Sequence, residues 1–425
     1  MEKMLGGDAI ARMLATEGVR HVFGIIDGTY FGLYSSLKKH GITLISPRHE
    51  ACAVHCAAAY ARTTGQLGVC MASNGPGVAN VLPGVAVENG EGNRVLVLTS
   101  TRRTGIGYPD RGGTYQYFNQ VGVMKAMTKW SGVVSTPNRI AEMMKRAFRT
   151  SYRGRPGVVH VDIPENILNA KYPFAGLPTN PKSYRNSTPI VPDAGLVRRA
   201  AQLLIDAELP MIHAGSGTVH ALAHAELRQL AELLHSPVVT SWGGRGALAE
   251  NHELSIPMIY VGLNNQVRND SDCVLTLGSR IGETDWWGKA PNWRQSANQR
   301  HIQVDIDEEI LGLNKPVDLA ILGDVRTFLK QVTELILVAR GDGTISPKSL
   351  EHRQQAMQAY QQQIKKERKR LDALLQSDQA PLTAAHAAQA CQELFSQDAF
   401  YVIDGGNTAV WGNFYHEIRT PMTVL

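Results

Sequence analysis

Glu50 is the first residue in this sequence whose type and position suit chemistry. It follows Ser46-Pro47-Arg48-His49 and begins an alanine-rich helical pattern that continues to Arg62. A carboxylate in the first turn of a helix has an ordinary explanation, because it offsets the positive end of the helix dipole. A carboxylic acid in a largely dry pocket can also act as a general acid or base. The neighbouring motifs therefore decide between a structural and a catalytic interpretation.

A glycine turn accompanies this carboxylate. Gly75-Pro76-Gly77 begins 25 residues after Glu50, follows an apolar stretch and leads to Asn80. Its glycines suit a tight loop in which backbone approaches a flat ring closely. Gly28 lies in an earlier loop that follows another apolar stretch. As a bare tripeptide the turn is weak support, since any strand–helix connection can carry it.

A second glycine turn lies near the other end of the sequence. Gly405-Gly406-Asn407-Thr408 follows a predicted strand at 400–404 and precedes a helical pattern. The free N–H groups at the start of a helix attract anions such as phosphate. A plain glycine-rich connection without a ligand is the alternative.

Strand-like apolar runs alternate with helical patterns through the chain, which is typical of parallel α/β layers. The predicted fold class is α/β, with three consecutive doubly wound parallel-sheet domains of which the third is truncated. The third is expected to be cut short because one strand and two helices do not make a domain. A proline-containing segment at 171–192 and a Gly/Ser/Pro patch at 341–347 mark the boundaries. The predicted divisions are a first domain at 1–180, a central domain at 190–340, a linker helix at 341–380 and the start of a third domain at 381–425.

Composition excludes several classes of protein. The 425 residues carry a net charge of +5, spread thinly, so nucleic-acid binding is not expected. The basic run at 365–370 is interrupted by Glu367 and favours a solvated helix over a nucleic-acid or membrane patch. No apolar run approaches the roughly 20 residues that span a membrane, and no signal peptide is expected. Five cysteines without CxxC spacing favour the reducing cytoplasm.

The order of the motifs resembles a known enzyme family. The first domain carries the stretches 18–24, 48–50, 60–62, 74–80 and 155–164, and the central domain carries 214–217, 272–280 and 304–307. The last motif, at 402–411, contains Asp404-Gly405-Gly406-Asn407. Together they resemble thiamine-diphosphate-dependent decarboxylases and carboligases, such as acetohydroxyacid synthase, benzaldehyde lyase and oxalyl-CoA decarboxylase. The first domain would then bind the pyrimidine ring and the third the diphosphate.

The resemblance implies roles for individual residues. Glu50 would hydrogen-bond the pyrimidine N1′ and act as a general acid, and Gln120 would contact the substrate or intermediate. An ordinary polar loop is the alternative for Gln120. Asp27 departs from the family, in which proline or histidine followed by glycine usually occupies Ile26 and Asp27. The residues implied to bind the cofactor are Gly28, Gly75, Pro76 and Asn80 for the ring, and Gly405, Gly406, Asn407 and Thr408 for the diphosphate.

The resemblance also implies cofactors other than thiamine. Mg²⁺ is expected with the diphosphate, but no residue of this sequence is predicted to bind the metal, so weak cofactor binding is expected. In some relatives the central domain binds FAD or another nucleotide. Gly215-Ser216-Gly217, which precedes one long helical pattern ending at Leu234, and Arg280 are where a nucleotide would lie. An empty structural domain is the alternative.

The implied activity is a lyase or transferase reaction. The chain would make or break a C–C bond next to a carbonyl through a C2 carbanion of thiamine. Its substrate would be a 2-keto acid, an aldehyde or an acyl-CoA, and a homodimer or homotetramer is expected. The alternative is a non-catalytic fragment or pseudoenzyme that folds but does not hold metal and diphosphate.

Overall fold

The computed structural model describes residues 2–106, 112–376 and 380–424. The chain divides into two compact units, residues 1–188 and 189–425. The boundary lies inside the proline-containing segment 171–192. The finer division of the second unit into a central domain, a linker helix and a third domain stays a prediction.

The first unit is built on a six-stranded sheet whose pairs are all parallel, in the order β3-β2-β4-β5-β7-β6. Every residue of β4, β5 and β7 is buried. Strands covered on both faces favour apolar residues on each face, and this explains why these sequences are rich in valine and leucine. The strands of the unit are β1 (Glu2–Leu5), β2 (His21–Gly24), β3 (Thr43–Ile45), β4 (Gly68–Ala72), β5 (Val95–Thr101), β6 (Trp130–Val133), β7 (Val158–Pro164) and β8 (Lys171–Phe174).

Helices connect these strands. Ala53, Val54 and Ala57 of one helix pack with Val78 and Val81 of the next in a buried cluster. Small alanines allow that close approach and are strong helix formers. The helices of the unit are α1 (Gly6–Thr16), α2 (Phe31–Leu37), α3 (Glu50–Thr64), α4 (Pro76–Glu91), α5 (Gln120–Met127), α6 (Ile140–Tyr152) and α7 (Glu165–Asn169).

The second unit contains another six-stranded parallel sheet, in the order β11-β10-β9-β12-β13-β14. The two parallel sheets confirm the predicted α/β class. The strands are β9 (Pro210–Ala214), β10 (Val238–Thr240), β11 (Ser255–Ile256), β12 (Cys273–Leu277), β13 (Arg300–Asp305) and β14 (Leu319–Leu322). The helices are α8 (Ala194–Asp206), α9 (Ser216–His220), α10 (His224–Leu234), α11 (Val261–Asp270), α12 (Val325–Gly341), α13 (Pro347–Asp372), α14 (Ala384–Leu394) and α15 (Asn407–Tyr415).

Two local predictions were wrong. The expected single helix ending at Leu234 is two helices, because Leu222 adopts a left-handed φ of 52° and Ala223 donates back to the carbonyl of Thr218, which closes α9. The expected strand at 400–404 does not form. Tyr401 makes one isolated bridge, to Val424, and a strand needs a continuous row of partners. The described residues therefore form no parallel sheet beyond the two six-stranded ones.

The long polar helix α13 packs on the rest of the second unit through buried side chains. Its Arg353 is fully buried and donates to main-chain carbonyls that include those of Ala207 and Leu234. Tyr360 donates to the Asp270 carboxylate at 2.8 Å. Among the described residues, no helix is long and apolar enough to cross a membrane.

Candidate functional site

Glu50 is the first residue of α3 and is half-buried. The preceding His49 is extended, and its ring Nδ1 accepts the Ala51 N–H at 3.1 Å, so the helix begins at the carboxylate. Asn80 of α4 donates from Nδ2 to Glu50 Oε2 at 3.0 Å. The structure thus brings together two residues that the sequence separates by thirty positions. Glu50 is less enclosed than the largely dry pocket expected from the sequence.

The glycine turn before α4 is tightly packed. Gly75 has φ 63° and ψ −111°, and a Cβ added there would lie 2.5 Å from the carbonyl oxygen of Gln116. A Cβ on Gly77 would lie 2.6 Å from Ser73 Oγ and 3.6 Å from Glu50 Oε1. Pro76 occupies the first helical position, where its missing N–H costs nothing. A side chain at position 75 would therefore collide with Gln116, and one at position 77 would collide with Ser73 and touch the Glu50 carboxylate.

Buried side chains hold the two N–H groups of this turn. The Asn74 N–H donates to Ser100 Oγ at 3.1 Å, and the Gly75 N–H donates to Gln120 Oε1 at 2.8 Å. Ser100 belongs to β5 and Gln120 begins α5. The turn is therefore hydrogen-bonded to both β5 and α5.

Gln120 does not face open space. It is 2% exposed, and its Nε2 donates to the Ser100 carbonyl at 3.0 Å and to Asp162 Oδ1 at 2.9 Å. With Oε1 engaged by Gly75, no N–H of this amide is left for a substrate. The sequence did not indicate that the Gln120 side chain, at the start of α5, points into the interior of the unit. Its contact with substrate or intermediate stays a prediction.

A series of buried hydrogen bonds continues from Gln120 through Asp162 to other polar side chains. Asp162 Oδ1 also accepts from Thr99 Oγ1 at 2.6 Å, and Thr99 Oγ1 lies 2.7 Å from His160 Nε2. The chain of hydrogen bonds ends at Ser131 Oγ, which lies 2.7 Å from His160 Nδ1. Burial raises the pKa of Asp162 to about 7, against the lowering effect of its hydrogen bonds, and burial lowers the pKa of His160 to about 3.

Asp27 and Gly28 lie in the loop after β2. Asp27 Oδ1 accepts from the Thr29 N–H at 2.8 Å and from Thr29 Oγ1, and the same hydroxyl lies 2.6 Å from Ser100 Oγ. Gly28 is exposed, and its carbonyl accepts from Asn169 Nδ2. The Asp27 carboxylate, which departs from the family pattern, is thus linked to the Asn74 N–H by three hydrogen bonds through the hydroxyl groups of Thr29 and Ser100.

Three residues near the turn were not predicted. Gln116 has a left-handed φ of 54°, is exposed, and accepts from Asn74 Nδ2 at 3.0 Å through its carbonyl. A non-glycine residue in that region stores strain, which often marks a functional position. Ser100 and Asp162 lie near the carboxyl ends of the buried strands β5 and β7, and the sequence pattern indicates those strands without showing what the two side chains bind.

The second glycine turn is open. Gly406 has φ 68° and ψ −143°, and a Cβ on either Gly405 or Gly406 would have nothing within 4 Å. Asn407 and Thr408 are exposed at the start of α15, and no side chain caps this nine-residue helix. The Gly405 N–H donates to Asp404 Oδ1 at 2.8 Å. Such an exposed helix start fits a phosphate group.

The central glycines have a packing explanation. A Cβ on Gly215 would lie 2.3 Å from the Gly278 carbonyl oxygen, and one on Gly217 would lie 2.7 Å from Gly278 Cα. This contact joins the ends of β9 and β12 without a ligand. Arg280 is exposed just beyond β12. Binding of FAD or another nucleotide here stays a prediction.

No cluster of three or more His, Cys, Asp or Glu residues that could hold a metal occurs in the part of the chain that the structure describes. All five cysteines are free.

Comparison with known proteins gives matches in both units. Residues 4–123 match the family described as thiamine pyrophosphate enzyme, N-terminal TPP binding domain, and residues 197–332 match thiamine pyrophosphate enzyme, central domain. Together these matches span more than half of the chain.

Curated relatives carry related descriptions. The acetolactate synthase isozyme 3 large subunit of Escherichia coli (strain K12) is 31% identical over 346 residues, which cover 79% of this chain and 58% of that protein. The probable acetolactate synthase large subunit of Methanococcus aeolicus is 26% identical over 438 residues, 99% of this chain and 70% of that protein. The Corynebacterium glutamicum acetolactate synthase large subunit is 33% identical over 356 residues, 80% of this chain and 54% of that protein. The chain thus spans little more than half the length of the E. coli and C. glutamicum relatives.

Proposed function

We propose that this chain, which belongs to the thiamine pyrophosphate enzyme family, makes or breaks a carbon–carbon bond next to a carbonyl group with thiamine diphosphate as its cofactor. When bound, thiamine diphosphate supplies a nucleophilic carbanion at its thiazolium C2. The acetolactate synthases among the relatives favour a 2-keto acid over an aldehyde or acyl-CoA as the substrate.

The observation that carries the proposal is the carboxylate of Glu50. Asn80 donates to Oε2, and no other described residue donates to this carboxylate, so Oε1 is available to a ring nitrogen. Its neighbour Gly77 has no side chain to block the approach. Glu50 would hold a proton between Oε1 and the pyrimidine N1′, while Asn80 fixes the rotation of the carboxylate. Backbone at Gly75 and Pro76 would face the ring.

The open turn in the second unit is proposed to bind the diphosphate. Gly405 and Gly406 leave room for phosphate oxygens, and the N–H groups of Asn407 and Thr408 begin an uncapped helix. Mg²⁺ would accompany the diphosphate and balance its charge, but we assign no residue to the metal. Asp404 lies beside the turn, and without such a cation its carboxylate would repel phosphate.

Self-association is part of the proposal. The resemblance to the family favours a dimer or tetramer in the cytoplasm. The exposed positions Cys52, Ala79, Pro83 and Val87 of α3 and α4 are uncharged, as expected of a surface that meets another copy. Light scattering coupled to gel filtration should give at least twice the 46.4 kDa chain mass. A monomer at micromolar concentration would contradict this part of the proposal.

Glu50→Gln is the decisive variant. It keeps the Asn80 hydrogen bond but removes the proton-sharing group, so we expect exchange of the thiamine C2 proton to slow by roughly 10²- to 10⁴-fold. NMR of the bound cofactor in deuterated buffer measures that rate, and calorimetry with thiamine diphosphate and Mg²⁺ measures affinity.

Glu91→Gln is the matched control. Glu91 is exposed at the end of α4, so the charge change is the same and exchange should be unaffected. Equal exchange rates in the Glu50→Gln variant and the parent would remove Glu50 from the mechanism. Absence of thiamine diphosphate binding by the parent chain would favour the non-catalytic alternative.

A further inference from the structure

We propose that Gln120 and Asp162 are positioning residues that hold the turn at Asn74 and Gly75 and, through α4, the Asn80 amide on Glu50. The inference rests on the proposed function only in taking this turn as the place that receives the pyrimidine ring. Neither side chain needs to touch the cofactor.

The orientation of the Gln120 amide is dictated by its surroundings. Two acceptors, the Ser100 carbonyl and Asp162 Oδ1, lie on the side of Nε2 at 3.0 and 2.9 Å. An amide nitrogen has two N–H groups and both are used there, so the amide oxygen must point the other way. It meets the Gly75 N–H at 2.8 Å. Asp162 therefore selects the amide rotamer that presents an acceptor to the turn.

The turn transmits this constraint to Glu50. Gly75 is the residue before α4, and its carbonyl accepts the Ala79 N–H at 3.0 Å. Asn80 follows directly on the same helical turn and donates to Glu50. A helix segment moves as a rigid body on the scale of one turn, so a shift at Gly75 displaces the Asn80 amide.

Simple core filling does not explain the pair. Gln120 and Asp162 are 2% and 3% exposed, and a buried amide next to a carboxylate is costly unless every group is satisfied. Leucine would fill the same volume at lower cost. The pair supplies what leucine lacks, an acceptor aimed at one backbone N–H.

The test compares four variants with the parent chain. Gln120→Leu removes the acceptor and both donors, whereas Gln120→Glu keeps an acceptor for Gly75. Asp162→Leu frees the amide to flip, whereas Asp162→Asn keeps an oxygen acceptor. Lys125→Ala is the control, because Lys125 is exposed on the same helix as Gln120.

Two readouts separate positioning from general stability. Hydrogen exchange of the segment 73–80, measured without cofactor, reports on the Gly75 N–H directly. Calorimetry with thiamine diphosphate and Mg²⁺ reports on the ring site. In Gln120→Leu we expect exchange at Gly75 to be about tenfold faster or more, because a buried N–H loses its partner, and cofactor Kd to rise by a similar factor. Asp162→Leu should show the same changes, and Asp162→Asn should lie closer to the parent than Asp162→Leu does. Gln120→Glu should slow Gly75 exchange relative to Gln120→Leu only at a pH low enough to protonate one of its two facing carboxyl groups.

The outcomes distinguish this inference from the proposed function. Binding by the parent chain, with Gly75 exchange and Kd in both leucine variants equal to those of Lys125→Ala, would overturn the positioning role and leave the cofactor assignment intact. Faster Gly75 exchange in the leucine variants of a chain that does not bind thiamine diphosphate would support the hold on the turn and contradict the proposed function. If Gln120→Leu does not fold, the Asp162→Leu and Asp162→Asn pair decides.

Discussion

The glycine turns that precede α4 and α15 share a similar backbone shape but differ in packing and hydrogen bonding. Gly75 precedes α4 with φ 63° and ψ −111°, and Gly406 precedes α15 with φ 68° and ψ −143°. Gly75 is packed against Gln116 and hydrogen-bonded to Gln120, whereas a Cβ on Gly406 would meet no atom within 4 Å.

Under the proposed function, the same local backbone geometry serves two purposes. In the first unit, tertiary contacts fix the turn before any ligand arrives, as a site for a flat ring requires. In the second unit the helix start has no side-chain cap, so an anion would supply the missing acceptors.

Replacing each glycine with alanine should give the largest difference in stability between the two turns. Gly406→Ala costs only the strain of a backbone conformation that favours glycine, about 1–3 kcal/mol. Gly75→Ala adds a Cβ 2.5 Å from the Gln116 oxygen, so a loss of about 3 kcal/mol or more is expected. Urea titration of both variants measures the free energy of unfolding. Equal losses at the two positions would contradict the distinction between a packed and an open turn.

The support beneath the first turn should also respond to pH. Burial raises the pKa of Asp162 to about 7 from its ordinary 3.8, so between these values the folded chain keeps a proton that the unfolded chain has lost. This contribution to stability is complete below pH 3.8 and is lost as the pH rises through 7. His160 acts in the opposite sense, because its pKa falls to about 3 and its contribution is lost as the pH falls below 6.5.

Asp162→Asn isolates the first contribution. The stability of the variant relative to the parent should increase by about 1.4 kcal/mol per pH unit between pH 4 and 7 and level off above that range. Urea titrations of both proteins across this range measure the difference. A difference that does not change with pH would show that Asp162 titrates normally.

The smallest expected changes in stability come from truncating one side chain near each turn. Ser100→Ala leaves the buried Asn74 N–H without its acceptor and should cost about 1–2 kcal/mol. Thr408→Ala removes an exposed hydroxyl but keeps the backbone N–H proposed to meet the phosphate, so it should change stability by less than about 0.5 kcal/mol and leave thiamine diphosphate binding nearly unchanged. Thermal unfolding and calorimetry measure the two quantities. A larger stability loss from Thr408→Ala than from Ser100→Ala would reverse the comparison.

The fold class was predictable because buried parallel strands leave a mostly apolar, β-branched signal. Val158–Pro164 and Cys273–Leu277 are such runs, and both are interior strands of their sheets. The strand expected at 400–404 has a similar sequence but lacks neighbours. Strand formation depends on partners that a local pattern does not reveal.

The site was predictable only in part. Glu50 and Gly75 were identified from motif order, which carries family resemblance, and their roles stay predictions. The inward direction of Gln120 and its partnership with Asp162 depend on contacts between residues 42 positions apart. No sequence period encodes such a contact, so only the folded structure gave it a physical meaning.

The pairing of β1 with β8 constrains how the first unit is made. Glu2 lies opposite Phe174 in this antiparallel ribbon, so β1 is synthesised well before the strand it pairs with, and the residues between Glu2 and Phe174 set the delay. At typical synthesis rates that delay is roughly 10–30 s. During it, the exposed Glu2 and Lys3 place opposite charges along a strand edge that has no partner. Charges on an open edge discourage pairing with another chain, so the sequence of β1 guards the nascent protein against aggregation before it contributes to the finished fold.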